Sequence, residues 1–426
     1  MKLAFITPRY GADLATGPEH ACRLLAEQVG ERHDVDILTT CARDARTWAN
    51  AAPEGTDRVR GLVVRRFPVT EPHDAVEFGR LSSRLGQQPP IRSVELDWVR
   101  QLGPWSPGLI EYLRRSHRSY DGLVFFSLWH PTTVEGLSIA PERSILFPYL
   151  QLKPALRFGL WADVLSMPRA LGFFSNVERR LVTDYVHITP AHEEVVGIGI
   201  EAPHQQSYPR HQQNPADEVS GDDDEGGSTG AEAAEPEEPS LDRGVPFRRR
   251  HRLYGSVAIY GGRVEPDNGC EEMLDYFDTY ASGSDDMTLV IMGLKMMRVP
   301  TDDGRVRLAG MLPDRERMTA FEAADLTVAP TPDDLLVQPL LESLAVGTPV
   351  LVSARNQAAV DHCVRAGAGL YYANRDEFVE GMRLLAKDSR LRERLGENGR
   401  AYVGQNFRWE AVLGRFDRLV TKLRAR

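Results

Sequence analysis

The sequence predicts an α/β protein of two doubly wound domains that face each other across a cleft and are joined by a disordered acidic insert. Three observations predict it. Short apolar runs alternate with segments whose apolar residues recur at helical spacing, the signature of a mostly parallel sheet covered by helices. This alternation occurs in two blocks, interrupted near residues 203–250 by a stretch of Gln, Pro, Gly, Ser and acids with almost nothing to bury. The length, 426 residues, suits two to three domains.

The first block opens with LAFIT (3–7), a buried-strand run ending at Pro8, followed by the loop YGADLATG. Pro18 then starts a helix in which Ala21, Leu24, Leu25 and Val29 share a face. DVDILTT (34–40), GLVVRRFPV (61–69), LVFFSLW (123–129), SILFPYL (144–150) and ALGFFS (170–175) read as further strands. The second block restarts with SVAIYGGR (256–263), a strand and turn, and CEEMLDYFDTY, a helix. MTLVIMG, RVRLAG, DLTVAP and TPVLVS continue as strands, with helices through MTAFEAA and PLLESLAVG. The closing FRWEAVLGRFDRLVTKLRAR is an amphipathic helix. The expected divisions are a first domain over 1–202, a linker over 203–250, a second domain over 251–405, and a terminal helix over 406–426 returning toward the first domain.

The chain carries 51 basic and 61 acidic side chains, a net charge of −10 that argues against general nucleic-acid binding. Eleven of those acids, and no base, fall within residues 216–242, so the rest of the chain is nearly neutral. The basic cluster FRRRHR (247–252) that follows is expected to be a solvated face or a docking site for that acidic tract. Cys22, Cys41, Cys270 and Cys363 form no CxxC pair, which predicts buried free thiols in a reducing compartment and no structural zinc. No stretch approaches the ~18–20 apolar residues of a membrane span. MKLAFITPRYG is too short an apolar run for a signal peptide. A cytoplasmic protein is expected, with the basic LRRSHR (113–118) leaving peripheral contact with the inner membrane face open.

No GxGxxG opens a helix, and GxxxxGK[ST], GxSxG and HExxH are absent, which removes most support for hydride transfer and P-loop chemistry. Gly197 and Gly199 lack the third glycine and following helix of a nucleotide loop. The informative segments are YGADLATGPEHACRLLAEQVGERHDVDILTT, GRVEPDNGCEEML, RVRLAGMLPDRERMTAFEAADLTVAPTPDD, LLESLAVGTPVLVS and the terminal FRWE helix. Together and in this order they resemble the family 4 glycosyltransferases, retaining enzymes of GT-B architecture with two Rossmann-like domains. The resemblance implies a hexosyltransferase that needs no metal or cofactor. It would bind a nucleoside-diphosphate sugar through the second domain and a glycan, lipid-linked or small-molecule acceptor through the first.

The resemblance also assigns residues. Gly17, at the start of the first helix, would let the donor diphosphate approach the backbone, with Thr16 where the family has a second glycine. Arg263 would hold the phosphates and neutralise charge as the diphosphate leaves. Asn268 stands where the family has a second phosphate cation, a lysine. Asp334 replaces the first glutamate of the family's paired acids, which touches the transferred sugar; Glu342 is the second, which accepts from the donor ribose. Gln151 aligns with a histidine that contacts the transferred sugar; His130, after LVFFSLW, is expected either near the same cleft or, as a lone histidine at a strand end, in a structural role. The expected catalytic set is thus Arg263, Asp334 and Gln151, and the donor-binding set Gly17, Arg263, Asn268, Asp334 and Glu342. The changes at Thr16, Gln151, Asn268 and Asp334 leave a second reading open: a catalytically silent homologue acting as a partner subunit or sugar-binding module.

Overall fold

The computed structural model describes the chain except residues 15–16, 72, 86–89, 152, 202–243, 284–286, 302–303 and 425–426. Thr16 and the acidic tract at 216–242 therefore lie outside the described residues. Two sheets organise the rest. The first comprises β1 (Lys2–Ile6), β2 (Asp34–Thr40), β3 (Gly55–Val59), β4 (Leu62–Phe67), β5 (Gly122–Phe126), β6 (Ser144–Phe147), β7 (Ala170–Phe173) and β8 (Glu193–Val195). Their spatial order is β3-β4-β2-β1-β5-β6-β7-β8, and every neighbouring pair is parallel except β3 with β4. The second sheet holds β9 (Ser256–Gly261), β10 (Met287–Met292), β11 (Val306–Gly310), β12 (Leu326–Ala329), β13 (Val350–Ser353) and β14 (Gly369–Tyr372). It runs β11-β10-β9-β12-β13-β14, parallel throughout.

The apolar runs are continuous because helices cover both faces of each sheet. Every residue of β5, β6 and β7 is buried. Phe5, Phe126 and Phe147 of neighbouring strands pack ring against ring, and Phe416 of the Trp409–Thr421 helix closes over Phe5 and Phe147. The last helix thus belongs to the first domain's core, and the chain crosses between the domains twice. The two crossings run side by side: Ile200 N–H donates to the Phe407 carbonyl at 2.7 Å, and Arg415 Nε donates to the Val196 carbonyl at 2.9 Å. Gly199 lies flush under the Trp409 ring, where a Cβ would come within 2.1 Å of the indole. These glycines serve the crossing, not a nucleotide.

The linker expected over 203–250 ends sooner than the composition suggests. Val245–Arg250 is a helix whose Phe247 is buried in the second domain and stacks on His251. Arg248 donates to the Ala323 and Gly255 carbonyls and pairs with Asp325, while Arg250 pairs with Glu316. Within the basic cluster Arg248 is thus tied to its own domain, while Arg249, Arg250 and Arg252 are exposed, as expected of a solvated face.

Both sheets have the strand order of doubly wound folds, in which ligands sit beyond the carboxyl ends of the strands where the winding reverses. Those switch points are β1/β5 in the first sheet and β9/β12 in the second.

Candidate functional site

The loops leaving β9 and β12 flank the second switch point, and they carry Arg263 on one side and Asp333 and Asp334 on the other. The Arg263 turn is braced from within. Its carbonyl accepts from Tyr260 Oη at 2.8 Å and from Asn268 Nδ2 at 2.9 Å. Asn268 therefore ties the turn back to its own start. The Arg263 guanidinium is 47% exposed and pairs with Glu265 at 2.9 Å. Gly269, with φ +72°, sits so close to the Pro330 carbonyl that a Cβ would lie 2.7 Å from it. That glycine lets the Arg263 turn lie against the β12 loop.

Asp334 caps that second loop. Its Oδ1 accepts from Leu336 N–H at 3.0 Å, and Val337 N–H donates to the same carboxylate. Burial raises its pKa, the two amides pull it back, and neighbouring Asp333 raises it further. Val337 then takes a left-handed conformation, φ +42°, as the cap of the Gln338–Val346 helix. A β-branched residue is strained there, and such strain gathers at functional sites.

Glu342, one turn into that helix, is 4% exposed. Its carboxylate is gripped by both ends of the Arg317 fork, Nη2 to Oε1 at 2.6 Å and Nε to Oε2 at 2.8 Å. Gln338 Nε2 adds a bond to Oε1 at 2.8 Å. Arg317 is itself held by Asp314 at 3.0 Å. The Gln338 amide reaches across the cleft: its Oε1 lies 2.9 Å from His20 Nε2. The amide N–H faces the Glu342 carboxylate, so its oxygen is the atom that faces His20; His20 Nδ1 in turn lies 2.9 Å from the Leu14 carbonyl and 3.2 Å from Arg23 Nη2. Burial lowers the His20 pKa to about 4. His20 lies on the Gly17–Val29 helix, so the two helices that begin at the two switch points are joined by one polar chain.

On the first domain, Gly17 opens its helix with φ +81°. Arg9 and Glu19 pair beside it at 2.9 Å. Ser127 and Tyr149, just beyond β5 and β6, have φ +71° and +51°, two more strained positions at the cleft. Glu178 fixes them. Its fully buried carboxylate accepts from Leu150 N–H at 3.0 Å, from Phe174 N–H at 2.8 Å and from Tyr149 N–H. Burial pushes its pKa up to about 7 against those three donors. Tyr149 is near enough to Asp334 to feel its charge, and Lys153 and Asp333 likewise attract across the cleft. Gln151 lies between Tyr149 and Lys153, its side chain hydrogen-bonded to nothing among the described residues. His130 is spent on structure: Nδ1 is 2.6 Å from the Gly103 carbonyl and the ring meets Trp48 edge-on.

The structure brings Asp334 near the Tyr149–Lys153 loop that holds Gln151, and sets Arg263 on the adjoining turn. Sequence reasoning missed Arg317, Gln338, His20 and Glu178. Gln338 had a signal, four residues before Glu342 on one helix face, and Ser175-x-x-Glu178 is a capping-box pattern, with Ser175 Oγ accepting from Glu178 N–H at 3.1 Å. Among the described residues no group of three or more His, Cys, Asp or Glu could hold a metal ion.

Residues 247–402 match the family model for glycosyl transferases group 1. The fold is GT-B. It is similar over its whole length to the sucrose-phosphate synthase of Thermosynechococcus elongatus, at 15% identity and a TM-score of 0.66, covering 99% of this chain and 98% of that one. Anabaena HepE in complex with UDP and glucose matches at 13% identity and a TM-score of 0.65, with 100% of both chains covered. The α,α-trehalose 6-phosphate synthase of Burkholderia multivorans matches at 12% and 0.61, covering 99% of this chain and 98% of that one.

Proposed function

We propose that this chain is a retaining hexosyltransferase of family 4 type, moving a hexose from a nucleoside-diphosphate sugar to a glycan, lipid-linked or small-molecule acceptor. The observation that carries the reading is the pairing of place and chemistry in the second domain. Arg263 and Glu342 stand on either side of the β9/β12 switch point of a domain that matches glycosyl transferases group 1. HepE, which shares the architecture, was solved with UDP and glucose.

In this reading the diphosphate lies between Gly17 and the start of the Gln338–Val346 helix, whose amide end favours negative charge. Arg263 leaves Glu265 for the β-phosphate and stabilises it as the C1–O bond breaks and its electron pair moves to phosphate. The acceptor oxygen bonds C1 on the same face, and its proton passes to the departing phosphate. Asp334 and Gln151 orient the hexose hydroxyls, and Glu342 meets the ribose. The protein then works mainly by positioning and charge stabilisation. A site in the cytoplasm, with a peripheral membrane acceptor as one option, fits this chemistry; no described helix is long and apolar enough to cross a membrane.

A second reading has its own support. Arg263, Asn268, Asp334 and Glu342 are all satisfied by neighbours within the second domain, as expected of a silent homologue that binds a partner or a glycan. Calorimetric titration with UDP, GDP, ADP and dTDP separates the two. Binding tighter than about 1 mM, roughly −4 kcal/mol, that Arg263→Ala abolishes is the expected result. No binding by any of the four overturns the donor-site reading.

A further inference from the structure

An ionised carboxylate offers about four lone-pair positions to hydrogen-bond donors. On Glu342 three are taken: two on Oε1, by Arg317 Nη2 and Gln338 Nε2, and one on Oε2, by Arg317 Nε. One position remains, on Oε2. The three donors are not casual neighbours. The guanidinium meets the carboxylate side by side in the bidentate geometry that makes such pairs strong. The carboxylate side chain is only 5% exposed, so withdrawing Arg317 would leave a buried charge without its partner. Asp314 anchors the other end of the fork, and the Glu342 carboxylate itself sets the direction of the Gln338 amide, whose oxygen meets His20.

A ribose presents two vicinal hydroxyls as donors to a carboxylate. A 2′-deoxyribose presents one. A free carboxylate can take both ribose hydroxyls and gains from the second, whereas Glu342 as it is held here can take one. We propose, resting on the donor-site reading above, that the site reads a single nucleoside sugar hydroxyl. It therefore accepts 2′-deoxyribonucleoside diphosphate sugars as well as their ribonucleoside counterparts. Arg317 and Gln338 are the positioning residues that set this tolerance, because they occupy the places the second hydroxyl would need.

The test is calorimetric titration with matched pairs that differ only at the 2′ position: UDP and 2′-deoxy-UDP, ADP and 2′-deoxy-ADP, GDP and 2′-deoxy-GDP, ribothymidine diphosphate and dTDP. Wild-type protein is compared with Arg317→Lys and Gln338→Leu. Arg317→Lys keeps the charge but no longer straddles both oxygens, and Gln338→Leu empties a position on Oε1. For whichever base binds, the wild-type dissociation constants of the pair are expected within threefold. At least one variant should favour the ribonucleotide by tenfold or more, a ratio that a general loss of folding would not move. A wild-type ratio above threefold overturns the proposal, as does a ratio left at its wild-type value in both variants. Failure of every nucleotide to bind wild-type protein is a different result, which sinks the donor-site reading itself and this proposal with it.

Discussion

The two walls of the cleft are built on opposite plans. On the second-domain wall every polar side chain expected to meet a ligand is already bonded within its own domain or across to His20: Arg263 to Glu265, Asn268 to the Arg263 carbonyl, Asp334 to two amides, Glu342 to Arg317 and Gln338. On the first-domain wall Arg9 and Glu19 are paired and His20 meets Gln338, but Gln151 makes no side-chain hydrogen bond among the described residues, and the order of its loop is supplied from beneath, by a carboxylate that grips three backbone amides. A ligand reaching Arg263, Asn268 or Asp334 must exchange bonds for bonds, so its gain there is a difference of similar terms. A ligand reaching the first wall meets a shaped but uncommitted loop.

Removing the support of the first wall should have the largest effect. Glu178→Leu orphans three amides in a fully buried place, at about 1–3 kcal/mol each. Chemical denaturation should show a loss of at least ~3 kcal/mol; a loss under 1 kcal/mol would mean the loop is not held from below. Arg317→Met, on the second wall, should cost less, about 2 kcal/mol, because the arginine side chain is 27% exposed and water can replace part of what it gives Glu342.

Buried titratable groups should oppose one another in their response to pH. The Glu178 pKa is raised from 4.5 to about 7, so its contribution is present below pH 4.5 and lost as pH rises through 7. His20, and His362 buried on the Gln357–Ala366 helix of the second domain, are lowered from 6.5 to about 4, so their contributions are present above pH 6.5 and lost as pH falls through 4. These slopes oppose each other between pH 4.5 and 6.5. In Glu178→Gln the first slope disappears, and stability over that interval should climb with pH more steeply than in wild type. Parallel pH–stability curves would show that Glu178 is not titrating there.

Two smaller effects sharpen the account of the second wall. Asn268→Lys gives up a brace worth about 1 kcal/mol and offers the diphosphate a charge-assisted bond worth about 1.5–3 kcal/mol. Calorimetry should show several-fold tighter nucleoside diphosphate binding, and unchanged affinity would place residue 268 away from the phosphates. Val337→Gly relieves a strained conformation but deletes a buried side chain. With each worth about 1–3 kcal/mol, the net change in stability should stay within ~1 kcal/mol.

Much of the fold was legible because parallel strands covered on both faces must be apolar end to end. The runs that became β1, β5, β6, β7, β9, β10 and β13 announce themselves in this way. β3 did not, since GTDRV is an exposed, charged edge strand whose only signal is its hairpin turn at Arg60-Gly61, both with positive φ. The Val245–Arg250 helix was hidden by a basic composition whose partners, Asp325 and Glu316, lie far along the chain. Of the residues that the resemblance assigns, Arg263 and Glu342 are found beside the second switch point. What engages Glu342 could not be read from local pattern, because Arg317 is 25 residues away and His20, behind Gln338, is 318 residues from its partner. Local spacing reveals which group stands at a strand end, and long-range contacts decide whether that group is free.

The return of the last helix to the first sheet bears on how the protein is made. Phe416 closes over Phe5 and Phe147, so the first domain's core is incomplete until residues 409–421 have left the ribosome. At roughly 5–20 residues per second, that helix follows β8 by on the order of ten to forty seconds. The second domain's residues emerge within that interval. A nascent first domain therefore waits with an aromatic face uncovered while its neighbour folds, and a segment translated after that neighbour is what seals it.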